Sequence, residues 1–214
     1  MPAGSYEIRL CRNCGLRYPL TKGHPFGTRC PVCLGETRIV LKRSISPLPM
    51  REGPRVRGNL SVLLDNVRSA WNVGAIFRTA DGLGIRNLYL CGITPTPDNE
   101  AVRKTSLGAE QSVAWEYSRN ALETAVGLKN KGHPLIALEQ DDRATSLLEF
   151  IIPTSQSLMP VLIVGNEVTG TDPELIDICN QIVHIPMLGS KHSLNVEVAF
   201  GITAFHLISR LNYE

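Results

Sequence analysis

The sequence predicts an α/β protein: a mainly parallel sheet with helices on both faces, preceded by a small metal-binding module. Three observations predict it. Short apolar, β-branched runs alternate with helix-patterned segments from residue 59 onward, four cysteines with paired spacing cluster at the front, and the positive charge is concentrated in that same front segment. Alternating strand and helix signals argue for parallel strands joined by helical crossovers, with both sheet faces covered. A chain of 214 residues suffices for one well-filled core and an accessory module, and not for two large domains.

The front module comes first. Cys11-x2-Cys14 and Cys30-x2-Cys33 are separated by fifteen residues, "GLRYPLTKGHPFGTR". Each C-x-x-C lets two thiolates converge from one tight turn, and the intervening segment returns the chain so that four sulfurs form a tetrahedron. This spacing is that of a zinc ribbon over residues 1–43. With every position taken by protein, the Zn2+ is structural and has no open site for chemistry. A disulfide framework is disfavoured in a cytosolic chain, and a rubredoxin-like iron site shares the spacing. Cys91 and Cys179 are isolated in apolar surroundings, and His24 is read as a loop histidine.

Residues 1–58 hold eleven Lys/Arg against three Glu, a surplus of +8, whereas residues 59–214 hold eleven against seventeen acids, or −6. Four thiolates on one Zn2+ would lower the front surplus to +6. A basic module on a mildly acidic body is the footprint of a polyanion partner, because cationic side chains displace counterions from phosphates. Residues 44–58, "SISPLPMREGPRVRG", interrupt any periodicity with prolines and glycines and read as a linker. Arg51, Arg55 and Arg57 there either extend a grip on phosphates or are simply solvated.

Residues 59–214 form the second domain. "LSVLLD", "RNLYLCG", "PLIAL", "PVLIVGNE" and "QIVHIPM" read as strands. "NALETAVGLKN" and "SLNVEVAFGITAFHLISRL" read as helices, the latter with Val196, Phe200, Thr203 and Leu207 on one stripe. No apolar run reaches the roughly 18 residues of a membrane span, and the first residues lack a secretory pattern, so the expected location is the cytoplasm.

Nucleotide-binding tests fail. There is no G-x-G-x-x-G after a strand, and "GNEVTG" at Gly165–Gly170 lacks the lysine of a phosphate loop. Polar residues nevertheless follow the strands, at Asn66 to Asn72, Glu139, Asn166 and Glu167, and "LGSKHSLN". Those carboxyl ends are where open α/β sheets bind ligands. Within "NVGAIFRTADGLG", residues 72–84, a packing helix requires neither Asn72 nor Arg78.

"NVGAIFRTADGLG", "IVGNEVTG" and "IPMLGSKHSLNVEVAFGI", in this order and spacing, resemble the three motifs of the TrmH-type (SpoU) RNA 2′-O-ribose methyltransferases of the SPOUT superfamily. The resemblance covers residues 59–214 and leaves out the zinc module. It implies a C-terminal deep trefoil knot, bound S-adenosylmethionine, and an active site completed across a homodimer. By the same resemblance the cofactor lies among Leu138, Glu139, Val164, Gly165, Asn166, Ile185, Pro186, Met187 and Leu194. Backbone amides approach a ligand most closely where a glycine removes the side chain.

Arg78 matches the family's catalytic arginine. A ribose hydroxyl is a poor nucleophile and needs orientation, proton removal and stabilisation of developing charge. Arginines hold their proton at nearly any accessible pH, which favours charge stabilisation and phosphate orientation over the role of base. The resemblance also carries Asn72, which would fix the loop or Arg78, and Glu167, which would hold loop amides or an arginine. The plainer role for Glu167 is a charge near the N-terminus of the following helix. Ser193 and Asn195 serve the catalytic loop in the family, and are ordinary helix caps otherwise.

Lys191 and His192 stand where many members of the family are small or acidic, and Glu197 where the family position is expected to be small, often serine. His192 either contacts RNA or is solvated; Trp71 and Trp115 are core or interface. "KTSLGAEQSVAWEY" resembles enzymes acting on a tRNA D-loop guanosine more than ribosomal-RNA enzymes, so tRNA is the favoured substrate and rRNA the alternative. Two other classes compete: a non-catalytic RNA-binding zinc-ribbon protein, and a zinc-ribbon transcription or ribosome factor. The presence of Asn72, Arg78, Glu167, Ser193 and Asn195 together argues for the enzyme.

Overall fold

The computed structural model describes residues 5–21, 27–44, 59–151 and 158–213. The linker arginines Arg51, Arg55 and Arg57, and His24, lie outside the described residues. The chain divides into two compact units, Met1–Pro54 and Arg55–Glu214.

The first unit is an antiparallel three-stranded sheet in the order β2-β1-β3, with β1 at Ser5–Cys11, β2 at Arg17–Thr21 and β3 at Thr37–Ser44. Cys11 closes β1 and Cys14 lies in the turn to β2, while Cys30 and Cys33 sit in the turn before β3. A register shift opposite Ile8 and Arg9 leaves Val40 as an extra residue in β3.

The second unit holds a seven-stranded, all-parallel sheet in the order β6-β5-β4-β9-β7-β10-β8. Its strands are β4 (Ser61–Asp65), β5 (Asn87–Cys91), β6 (Ala114–Ser118), β7 (Leu135–Leu138), β8 (Thr145–Ser146), β9 (Val161–Val164) and β10 (Gln181–His184). β4, β5, β7, β9 and β10 fall on the five apolar runs. Along β4, Val62 and Leu64 face one core and Leu63 the other, so the strand is apolar throughout because both faces are covered.

The helices are α1 (Ala70–Leu83), α2 (Glu100–Ser106), α3 (Ala121–Asn130), α4 (Pro173–Asp177) and α5 (Val196–Tyr213). α1, α2 and α5 supply Phe77, Val102 and Phe200 to one core; α3 and α4 supply Ala125 and Leu175 to the other. The expected α5 stripe is buried, with Phe200, Thr203 and Leu207 fully enclosed. Each large apolar side chain so enclosed contributes about 1.5–3 kcal/mol.

In α1, Ser69 caps the N-terminus by accepting from the Asn72 N–H at 3.3 Å. Val73, Ile76, Phe77 and Ala80 form its buried stripe. Gly74 is fixed by packing, since a Cβ there would collide with the Val102 carbonyl and the Thr105 side chain of α2. The segment Val102–Tyr117 forms most of α2, a 3-10 turn at Ala109–Gln111 and the edge strand β6, elements its apolar pattern does not announce.

Candidate active site

The carboxyl ends of the neighbouring strands β9, β7 and β10 open a cleft of about 270 Å3. That is near the lower end of the range for small-molecule sites. Leu138 and Glu139 reach it from β7, Val164, Gly165 and Asn166 from β9, and Ile185 and Met187 from β10, with Leu194 and Ser193 from the loop before α5. Eight of the nine residues expected to hold a cofactor therefore line one cleft; Pro186 does not line it.

Several of these side chains are already engaged by the protein. Glu139 accepts from the N–H groups of Gln140 and Thr171, at 2.9 and 2.8 Å. Asn166 donates to the Asn66 carbonyl at 2.7 Å and accepts from the Val168 and Thr169 N–H groups. A Cβ on Gly165 would collide with the backbone of Gly170 and Thr171, so this glycine is required by the fold of its own loop. What these positions offer a ligand is backbone and apolar wall, with polar side chains holding the loops behind.

A second depression, about 490 Å3, adjoins the first and is lined by Arg68, Ser69, Asn72, Glu167, Leu194, Asn195 and Val196. Glu167, Leu194 and Val196 line both. At this junction the three sequence motifs are tied together. Glu167 accepts from the Arg68 N–H at 2.8 Å, the Ser69 N–H at 3.0 Å and the Asn72 side-chain amide at 3.0 Å. The Asn72 side-chain Oδ1 accepts from the Asn195 side-chain amide at 3.2 Å, and Asn195 Oδ1 caps α5 by accepting from the Glu197 N–H at 2.9 Å. Glu167 thus serves the start of α1, ahead of the helix that follows it in sequence, and Asn72 fixes Glu167 and Asn195, with no bond to Arg78.

Partial burial raises the Glu167 pKa, but the Arg68 N–H, the Asn72 amide and the Ser69 N–H together outweigh it and hold the carboxyl below its ordinary 4.5. A carboxylate with a lowered folded pKa stabilises above the unfolded value and loses that contribution as pH falls through the folded one. Acidification below pH 4.5 is therefore expected to release the Arg68 and Ser69 amides into faster hydrogen exchange while the Val73 amide, bonded to the Ser69 carbonyl, stays protected. Glu167→Gln, which keeps one acceptor oxygen and adds a donor, should lose this protection at neutral pH. Unchanged exchange in that variant would remove Glu167 as the clamp.

Two residues that sequence reasoning passed over complete the frame. Asp65, at the end of β4 and buried, accepts from the Asp172 N–H at 2.9 Å and from Asn66 at 2.7 Å, and its burial pushes the carboxyl pKa up. Arg68 stands exposed at the rim of the second depression, and only its position before a helix cap signals it. Ser193 lines the cleft and precedes α5 without capping it. Glu197 accepts from the Thr79 hydroxyl at 2.9 Å, joining α5 to α1.

Arg78 is outside both depressions. It lies on the exposed side of α1, with no ion pair or hydrogen bond among the described residues. Trp71, one turn-pair earlier on that side, is 62% exposed. α5 shows Val198, Ile202 and Phe205 to solvent at i, i+4 and i+7.

In the first unit the sulfurs of Cys11, Cys14, Cys30 and Cys33 lie within 4.8 Å of one another, with Cys11–Cys33 at 3.5 Å and Cys14–Cys30 at 3.6 Å. Zn–S bonds of about 2.3 Å in a tetrahedron put sulfurs about 3.8 Å apart, so the set fits. The Cys14 N–H donates to the Cys11 sulfur and lowers its pKa against the opposing effect of burial, and the Asn13 N–H adds to this.

The SpoU rRNA Methylase family matches residues 59–205. The chain belongs to this family. It is 32% identical over 151 residues to a tRNA (guanosine(18)-2′-O)-methyltransferase of Aquifex aeolicus, covering 69% of this chain and 67% of that protein. It is 31% identical over 149 residues to a 23S rRNA (guanosine-2′-O-)-methyltransferase RlmB of Burkholderia, covering 70% of this chain and 58% of that one. The AdoMet-bound rRNA methyltransferase from Sinorhizobium meliloti superposes with a TM-score of 0.65 at 25% identity, over 81% of this chain and 64% of that structure. The SpoU match lies C-terminal to the four cysteines and does not include them. No described helix is long and apolar enough to cross a membrane.

Proposed function

We propose that this SpoU-family chain transfers a methyl group from S-adenosylmethionine to the 2′-hydroxyl of a ribose in structured RNA, with a tRNA guanosine as the favoured acceptor. The observation that carries the reading is the junction of the two depressions at Glu167, where all three motifs meet. Leu138, Val164, Ile185 and Leu194 would wall the adenosine, with the backbone of Gly165 and Met187 close by. Bound there, the cofactor would supply a methyl on its sulfonium: the ribose oxygen would take the methyl, the S–CH3 bond would break to leave a neutral thioether, and the hydroxyl proton would pass to solvent water. The adjoining depression would hold the acceptor nucleotide, with Arg68 beside its phosphate and Ser193 and Asn195 shaping the loop between. The Burkholderia relative supports ribosomal RNA as a second reading.

Arg78 lines neither depression of its own chain, and the exposed apolar residues of α5 argue for a homodimer that brings it to the partner's. The four cysteines would hold a structural Zn2+, and the basic module would grip RNA. The test is transfer of labelled methyl from S-adenosylmethionine to RNA from cells lacking the protein, followed by size separation and nuclease mapping. Label at a 2′-O-methylguanosine of tRNA is expected. Label in ribosomal RNA would keep the chemistry and change the substrate; no label and no cofactor affinity would leave a binding protein.

A further inference from the structure

The four-cysteine module has one sheet face that none of its described residues covers. In the antiparallel register, directly opposed residues share a face. Leu10 is flanked by Arg17 on β2 and Arg38 on β3, Ile8 by Pro19 and Leu41, and Tyr6 by Thr21 and Arg43. The opposite face carries Glu7, Arg9, Cys11 and Leu20; Arg9 and Lys42 are both paired with Glu7, and Cys11 and Leu20 are buried. The uncovered face therefore has an apolar centre of Tyr6, Ile8 and Leu10, half-buried along the middle strand, with arginines at its margins.

Its charge is one-sided. Arg17, Arg38 and Arg43 are exposed, and none has an ion pair or hydrogen bond among the described residues. Of the described acids in the module, Glu7 points to the other face and Glu36 lies in the turn bridged to Arg29. With strands roughly 4.8 Å apart and about 3.3 Å per residue, Arg17 and Arg38 stand about 10 Å apart across the sheet, and Arg43 about 13 Å further along β3.

We propose that this face binds an unpaired segment of the RNA substrate. Arg17, Arg38 and Arg43 take backbone phosphates, and Tyr6 with its aliphatic neighbours offers a platform for bases. The inference rests on the RNA-methylating function proposed above, and adds where outside the catalytic unit the RNA is held. Flat apolar ground with an aromatic suits splayed bases, which are recognised by stacking, and the arginine fork suits phosphate. An acidic protein partner would use the charge but gives no role to the stacking platform.

The neighbours Arg43 and Lys42 make the test, because they carry the same charge on opposite faces of one strand. Binding of full-length protein to an unmodified tRNA transcript is measured by fluorescence anisotropy over a salt series, with retained metal content as the check on folding. Arg43→Gln is expected to lower the slope of log K against log salt by about 0.7, and the Arg17, Arg38, Arg43→Gln triple by about 2, with at least a ~10-fold loss of affinity near physiological salt. Tyr6→Ala should cost about fivefold or more with the slope unchanged. Lys42→Gln should leave the slope near that of the unaltered protein. Equal effects of Lys42→Gln and Arg43→Gln, or no effect of the triple, would overturn the face as the RNA site. Failure of the unaltered protein to bind or methylate any RNA would instead overturn the proposed function.

Discussion

Arg78→Ala is expected to lower the rate of methyl transfer by about a hundredfold to a thousandfold, the usual cost of losing one preorganised charge or donor at a developing oxyanion. Affinity for S-adenosylmethionine and thermal stability should hardly change. The structure gives the reason for both halves. Arg78 is exposed, lines neither depression and has no hydrogen bond or ion pair among the described residues, so its loss breaks no such bond in the fold or at the cofactor site. Arg78 sits on the solvent side of α1, opposite the buried stripe of Val73, Ile76, Phe77 and Ala80, so the fold can lose it without opening a cavity. A mixing experiment sharpens the point. Met187→Trp should fill the cleft of its own chain while leaving Arg78 free, so under the proposed homodimer a mixture with Arg78→Ala should recover activity that neither variant has alone. An Arg78→Ala enzyme keeping more than about a tenth of the normal rate would remove this residue from the chemistry; two inactive variants that never complement would place the arginine and cleft in the same chain.

The same residue shows how far the sequence carries. Five strands, α1, α3 and α5 follow from apolar runs and a 3.6-residue stripe, because burial on a sheet writes that period directly. α4, at Pro173–Asp177, is too short to register a stripe, and β8 is two residues long. β6 has alternation muted by its edge position, where Glu116 and Tyr117 remain exposed. The site is legible as a set of motifs but its wiring is not. Asn72, Glu167 and Asn195 are far apart in the chain, and only the adjacency of β4 and β9, with α5 folding back beside α1, turns them into one hydrogen-bonded line. Gly74 and Gly165 look alike in sequence, yet the first is fixed by α2, far along the chain, and the second by the backbone of its own loop. Threading of the chain leaves no periodic trace at all, so the knot enters solely through the family resemblance.

Removing the proposed four-cysteine metal should unfold the first unit and leave the second intact. Among the described residues of that unit, the buried apolar set is confined to Cys11, Leu20 and Cys30, and two of these belong to the four-cysteine cluster. A module of this size with so little enclosed side chain cannot offset its conformational entropy by burial. In metal-organised domains the apparent binding free energy, about 10–16 kcal/mol for zinc-finger peptides at neutral pH, is folding free energy. Chelation, or Cys30→Ser, is thus expected to abolish amide protection across β1 and β3, since their pairing converges on the cysteine-bearing turns. The parallel sheet, with its own two cores, should keep its protection and its cofactor affinity. RNA affinity should fall with the module, because the arginines of its open face keep their charge but lose their fixed spacing. Metal analysis of the purified protein decides between zinc and iron, and persistence of β1–β3 protection after complete metal removal would mean that the four cysteines are not what folds this unit.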